Sequence, residues 1–412
     1  MAKKVIVVGA GAAGLMAAGQ ASMRGCDVWL IERNPRPARK LMITGKGRCN
    51  VTNACDINEY ISNVPTNGRF MFSSICSFTP DDTITFFEEL GVPLKIERGN
   101  RVFPVSDKAV DIVDALVTFC RRNGVKTVTA RCKEVVVKEG KACGVLLDDG
   151  SELSADSVIV CTGGKSYPQT GSTGDGYSFA EAVGHTVTPL HPSLVPLEVH
   201  EGWCTELMGL SLKNISVRFY DDLTGKTVYE DFGEMLFTHF GVSGPVILSA
   251  SSHLRNMSSG KYKLSIDLKP ALSHEKLDER ILRDFSAQPN RVFANSLSAL
   301  LPAKLIPVAV RLSGIPAGLK VNQVTKDMRL HFGALIKRLE LTVTGFRPIE
   351  EAIITSGGVS VNQIDPKTMQ SKLVKGLYFA GEVIDVDAYT GGFNLQAAFS
   401  TGFVAGRSQE EY

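Results

Sequence analysis

The chain has 412 residues, 44% of them hydrophobic and 21% charged, with a formal net charge of +2. That length exceeds one ordinary core and predicts two or three domains, while the composition is that of a soluble globular protein and the near-neutral charge argues against an extensive nucleic-acid surface. Nine cysteines, an odd number with no CxxC pair, point to a reduced cytoplasmic protein rather than a disulfide scaffold.

The first element is a buried strand, Val5-Ile6-Val7-Val8, followed at once by Gly9-Ala10-Gly11-Ala12-Ala13-Gly14. Gly9 permits the tight turn, Gly11 lets backbone approach a pyrophosphate, and Gly14 lets the next helix pack close to the strand. Ala12 and Ala13 open that helix, whose N-terminus offers free N–H groups and a positive dipole end to phosphates. Asp27–Glu32 reads as the second strand; Glu32 at its tip can accept from a ribose 2′-OH, with Arg33 beside it. Lys3-Lys4 before an apolar run is signal-peptide-like, but cleavage there would destroy the glycine turn. No run reaches the roughly 18 apolar residues of a membrane helix.

The loop after the second strand carries Lys40, Thr44, Gly45, Arg48, Cys49 and Asn50, expected near a bound dinucleotide, with Arg48 a candidate phosphate partner. Cys49 and Cys55 are spaced Cys-x5-Cys, where disulfide reductases carry Cys-x4-Cys. No second glycine fingerprint follows to bind NAD(P)H, so packed thiols are expected rather than a catalytic dithiol.

Lys133–Val137, Ala142–Leu147 and Ser157–Val160 read as three strands, the last running into Cys161-Thr162-Gly163-Gly164. A meander leading into a strand and Thr-Gly-Gly is the usual crossover of an FAD-binding fold, with Val135, Thr162, Gly163 and Gly164 as candidate contacts. From about His191 to Phe346 the pattern changes. Leu212–Tyr220 and Lys226–Tyr229 form a hairpin about Asp221-Asp222 and Thr224-Gly225, and Tyr262–Leu268 alternates again. Ser273 caps a helix with Leu277, Ile281, Leu282 and Phe285 at helical spacing, a second helix runs from about Val324 to Leu339, and a strand follows to Val343. The helical piece is expected to cap the barrel or the cofactor cleft.

Near the C-terminus Leu377-Tyr378-Phe379 ends in Ala380-Gly381-Glu382. This is similar to the strand of two-dinucleotide-fold flavoproteins whose acid binds a ribityl hydroxyl, and it separates FAD from NAD. Gly391-Gly392 then open a helix through Asn394 and Leu395, with small residues at 397, 398, 401, 402, 405 and 406 in one stripe. Its N-terminus, aimed at the flavin pyrimidine, would stabilise the reduced ring.

Further strings now fit together: Thr44 to Asn53, Gly99 to Pro104, Gly163 to Pro168, Gly171 to Tyr177, Leu236 to Pro245 and Gly381 to Asp387. This set resembles the BaiN/RdsA family of bacterial NAD(P)/FAD-dependent oxidoreductases, the aminoacetone oxidase-like flavoproteins. Lys46 departs from the family's usual third glycine in this loop. The resemblance implies an α/β, FAD-binding Rossmann-like domain built from 1–190 and 349–412, a β-barrel-like insert from 191–272 and 338–348, and a helical insert from 273–337. It also implies FAD as cofactor, with either double-bond reduction in 3-oxo bile-acid intermediates or oxidation of small amines.

Three functions are open. The favoured one is NAD(P)H-linked reduction of a conjugated C=C in an apolar, steroid-like small molecule, with NAD(P)H bound transiently beside the flavin. An amine oxidase returning electrons to oxygen, and a flavin-bearing tRNA-interacting protein, are the alternatives. Hydride delivery to a double bond often needs a proton donor; Tyr167, His239 and Tyr389 are the candidates. Asp385 and Asp387 lack His or Cys partners for a metal and are expected to be solvated or helix-capping.

Overall fold

The computed structural model describes residues 2–409. The chain forms two units: residues up to Ser193 together with those from Pro348 onward, and Leu194–Arg347. The first is built on a five-stranded parallel sheet in the spatial order Leu377–Phe379, Ser157–Val160, Lys4–Val8, Asp27–Glu32, Lys126–Thr129. Central strands of such a sheet are covered on both faces, so they read as unbroken apolar runs. Val5, Ile6 and Val7, and beside them Val158, Ile159 and Val160, are fully buried.

The helix Ala12–Met23 packs against the C-terminal helix Phe393–Arg407. A Cβ on Gly402 would come 2.4 Å from the Ala13 carbonyl oxygen, and one on Gly406 2.3 Å from that of Ala17. The small-residue stripe therefore brings two helix backbones into contact, which no larger side chain would permit.

The antiparallel meander has a third strand that the sequence reading did not include. It consists of Cys132–Lys138, Lys141–Leu147 and Glu152–Ser154. Ser157–Val160 instead pairs in parallel with Lys4–Val8 and with Leu377–Phe379. The reason is burial: Ser157–Val160 is buried throughout, which suits a central strand, whereas Glu152 and Ser154 are exposed, as at a sheet edge.

The second unit is a closed six-stranded barrel in the order Leu197–Val199, Gly241–Ser243, Thr227–Phe237, Ser211–Asp221, Tyr262–Asp267, Leu339–Phe346. Asp221 turns the expected hairpin by accepting from the Leu223 and Thr224 N–H groups. Between the last two strands run His274–Ser286, capped by Ser273 as expected, then Phe293–Ser296, Ile306–Ser313 and Lys326–Lys337, capped by Thr325. Leu277, Ile281, Phe332 and Ile336 of these helices share one core with Leu264, Ile266 and Leu341 of the barrel. Barrel and helices thus lie in one compact unit and bury a common core. His191–Ser193, expected to begin the barrel, belongs to the first unit and pairs with Ile354–Ser356.

Candidate functional site

The carboxyl ends of the parallel strands open on a cleft of about 1470 Å³, counted out to open solvent. Open α/β sheets bind ligands at this edge, where the strand order reverses. Here it reverses at Lys4–Val8, whose chain-successor Asp27–Glu32 lies to one side and Ser157–Val160 to the other.

Gly9 has φ +99°, and a Cβ there would meet the Cys161 carbonyl oxygen at 2.6 Å. On Gly14 it would come 1.8 Å from the Gly9 oxygen. Gly11 is different: its Cβ would meet nothing within 4 Å, because Gly11 borders the cleft with Gly9, Ala12 and Ala13. The helix starting at Ala12 has no side-chain cap and no acidic residue in its first turn. Its first N–H groups therefore suit an anion such as a pyrophosphate.

Glu32, also in the cleft wall, is 9% exposed. One carboxylate oxygen accepts from Ala10 N at 2.8 Å and the other from Asn34 N and Nδ2, both at 2.8 Å. Its remaining lone pairs suit ribose hydroxyls. Arg33 donates to Thr173 Oγ1 at 2.7 Å and to Asp175, whose carboxylate also takes Arg131. Arg131 and Asp175 line the cleft and escaped the sequence reading; the signal was Asp175 opening a helix after Gly171-Ser172-Thr173-Gly174.

Thr162 and Gly163 line the cleft between these ends. Thr162 Oγ1 is buried and has no hydrogen-bond partner among the described residues. A buried hydroxyl in that state fits a site completed by a polar ligand. Gly381, Glu382, Lys40 and Thr44 continue the wall. Gly164 stands just behind, where a Cβ would meet Thr355 Oγ1 at 2.5 Å and Glu382 Oε1 at 2.6 Å. Ser166 and Thr355 bind Glu382 and were likewise missed, since both come from segments far away in sequence.

Asn394 and Leu395 complete the cleft. The Asn394 amide folds the preceding loop: its oxygen accepts from Ala388 N and its nitrogen donates to the Ala388 and Tyr389 carbonyls. Gly392 packs on Thr52.

Other expected residues lie elsewhere. Arg48, expected to pair with phosphate, is outside the cleft wall, donates to Glu97 and Asp107, and lies 4.1 Å over the Phe103 ring. Cys49 is fully buried with φ +60°, and burial pushes its thiol up to about 12, as it does that of Cys55. Burial disfavours the thiolate form of both, and the two stand as free cysteines. Lys46 holds the family's glycine position with φ +59°. Gly45, Asn50 and Val135 do not line the cleft, although Asn50 Oδ1 is buried with no hydrogen-bond partner among the described residues. Tyr167 (φ +52°) donates its N–H to Glu350 O, and Tyr389 N–H donates to Asn63 O; neither borders the cleft. His239 belongs to the barrel unit, edge-on to Phe240. Asp387, expected to be solvated or capping, is fully buried and accepts from Ser193 Oγ and Ser356 Oγ. Burial between two hydroxyl donors ties the loop after Glu382 to a neighbouring sheet.

A glycine turn, an uncapped helix N-terminus, an acid at the second strand and a second acid after the last strand define an FAD-binding Rossmann-type oxidoreductase. The model of the HI0933-like protein Rossmann domain matches residues 3–408, and the chain belongs to that family of BaiN/RdsA-type flavoproteins. It is 31% identical over 413 residues to the 3-dehydro-bile acid delta(4,6)-reductase of Clostridium scindens, covering 99% of each chain. It is 33% identical over 403 residues to the ribosomal RNA dihydrouridine synthase of Escherichia coli, covering 97% of this chain and 96% of that one. Among solved structures, a flavocytochrome c3 fumarate reductase matches with TM-score 0.54 at 18% identity, over 99% of this chain and 78% of that one. A 3-ketosteroid-delta4-(5alpha)-dehydrogenase from Rhodococcus jostii RHA1 matches with TM-score 0.53 at 14% identity, over 100% and 97%. These two share the fold. No helix among the described residues is long and apolar enough to cross a membrane.

Proposed function

We propose that this flavoprotein uses NAD(P)H to reduce FAD and passes the hydride to a C=C bond conjugated with a carbonyl, in a 3-oxo steroid or bile-acid-like substrate. The observation that carries this is the pair of full-length relatives. A 3-dehydro-bile acid delta(4,6)-reductase and a dihydrouridine synthase differ in substrate, yet both names describe saturation of a double bond conjugated with a carbonyl. The cleft supports the cofactor: Gly11 and the helix it opens suit the pyrophosphate, Glu32 a ribose, and Glu382 the ribityl chain. FAD supplies the hydride chemistry; the protein residues bind and orient it. Tyr167 and Tyr389 are the proton-donor candidates in the cofactor-binding unit.

A uracil ring within RNA is the second reading, favoured by the names of the relatives from Escherichia coli and Haemophilus influenzae, the latter 32% identical. Anaerobic stopped-flow spectroscopy of the yellow holoprotein tests the proposal. NADH or NADPH should bleach the flavin, and a 3-oxo-4,6-diene bile acid should restore its colour. Reoxidation by an undermodified ribosomal RNA alone would move the substrate to RNA. Bleaching by aminoacetone without NAD(P)H, with peroxide formed on admitting air, would replace the reductase by an amine oxidase.

A further inference from the structure

Glu382 is held by more groups than binding a cofactor hydroxyl requires. Lys40 Nζ donates to Glu382 Oε2 and, at 2.7 Å, to Ser166 Oγ. Ser166 Oγ donates to Glu382 Oε1 at 3.0 Å, and Thr355 N donates to the same oxygen at 2.9 Å. Thr355 Oγ1 in turn accepts from the Lys165 and Ser166 N–H groups at 2.8 and 3.2 Å. The absent side chain of Gly164 makes room for the carboxylate. The Lys40 and Glu382 side chains are 23% and 14% exposed, and both border the cleft. An ammonium and a carboxylate are thus fixed against each other in a partly desolvated wall, where charge acts more strongly than in water.

Sheet order places this pair at one end of the cleft. Glu32 ends one strand and Glu382 follows another three positions away across the sheet, about 14 Å at the usual strand spacing. If the adenosine lies by Glu32, an extended dinucleotide brings its flavin half towards Glu382.

We propose that Lys40 is a positioning residue that sets the charge at the flavin end of the cleft: by neutralising Glu382 it holds up the reduction potential of the bound flavin. This rests on the FAD reading above. A reduced flavin carries extra negative charge, so an unpaired carboxylate nearby disfavours reduction and an unpaired ammonium favours it. A clamp with only a structural role would change FAD affinity without shifting the potential in opposite directions.

The test is the flavin midpoint potential, from dye-coupled anaerobic titration, together with FAD affinity from fluorescence. Lys40→Met should lower the potential and Glu382→Gln should raise it. The double variant should return towards the parent value, and Lys40→Arg should stay near it. Should Lys40→Met retain no FAD, Glu382→Gln and Lys40→Arg decide. An unchanged potential in Glu382→Gln, or shifts of the same sign in both single variants, would overturn the assignment of charge control to this pair. A parent protein that takes up no FAD would instead overturn the cofactor reading itself.

Discussion

Three glycines stand within six residues of one another, and their surroundings separate folding from binding. Gly14 lies against the Gly9 carbonyl, where a Cβ has only 1.8 Å. Gly11 has open space on the cleft side. Gly14→Ala must therefore push the first helix off the strand, and a loss of about 1–3 kcal/mol or more is expected in urea unfolding of the apoprotein. Gly11→Ala adds a methyl where the protein has nothing, so apoprotein stability should stay within roughly 1 kcal/mol of the parent. Its FAD affinity should fall at least about tenfold, on the scale of lost charge-assisted hydrogen bonds. Fluorescence titration alongside urea melts separates the two. Equal stability losses in both variants would mean that Gly11 serves packing and not the ligand. The glycine spacing made this site legible because Gly14 answers to Gly9, close in sequence, and Gly11 to the open cleft; that Gly9 also lies against Cys161 was not readable from the spacing. The surroundings of Glu382 were not legible in the same way. Lys40, Ser166, Thr355 and Glu382 come from four separate segments, and only the folded sheet edge brings them together. The Arg48 partners were hidden for a related reason: Glu97 and Asp107, to which it donates, sit about fifty residues or more downstream.

The C-terminal helix Phe393–Arg407 illustrates the same contrast at the scale of an element. Its small-residue stripe was readable, and Gly402 and Gly406 do contact the first helix. What fixes its opposite side was not, because Gln396 looks like an ordinary polar helix residue. It is fully buried. Its oxygen accepts from Thr52 Oγ1 at 2.6 Å and Thr83 Oγ1 at 2.8 Å, while its nitrogen donates to Phe78 O and Ser400 Oγ, both at 3.0 Å. Four bonds thus anchor the helix next to Asn394 and Leu395 of the cleft. Gln396→Leu keeps the volume and leaves the buried Thr52 hydroxyl with no acceptor, at an expected cost of about 2–4 kcal/mol. Adding Thr52→Val removes the stranded hydroxyl, and Thr83→Val removes a second one that would be left with only the Thr79 carbonyl at 3.1 Å, so the triple variant should recover part of that loss. Thermal melts of the single and triple variants measure it. A triple variant less stable than Gln396→Leu by the full sum of its parts would show that packing, not hydrogen bonding, holds the helix.

At the scale of the molecule, the sequence suggested a barrel and a helical piece as separate inserts within one cofactor domain, and the chain forms two compact units, with barrel and helices both in Leu194–Arg347. Helical spacing announced the capped helices His274–Ser286 and Lys326–Lys337, but the short ones between them, Phe293–Ser296 and Ile306–Ser313, carry too few turns to leave a periodic signal. Nor could periodicity reveal that helices and barrel bury one common core. The cofactor-binding unit has a separate core, from Val5 to Ala405. The ends of its two chain segments also lie near each other: Ser193 pairs with Ile354, six residues beyond Pro348. A closed core and adjacent chain ends are the conditions under which an inserted domain can be removed. Replacing 194–347 by a short Gly-Ser linker should therefore leave a folded protein that still binds FAD, because every residue lining the described cleft belongs to the retained segments. The expected product is soluble, melts cooperatively and shows flavin absorbance after reconstitution, with reduction by NAD(P)H retained if that step needs only this unit. An excised protein that is insoluble would mean that the barrel unit supports the fold of its host. One that folds but cannot hold FAD would mean that the cofactor site extends into residues 194–347.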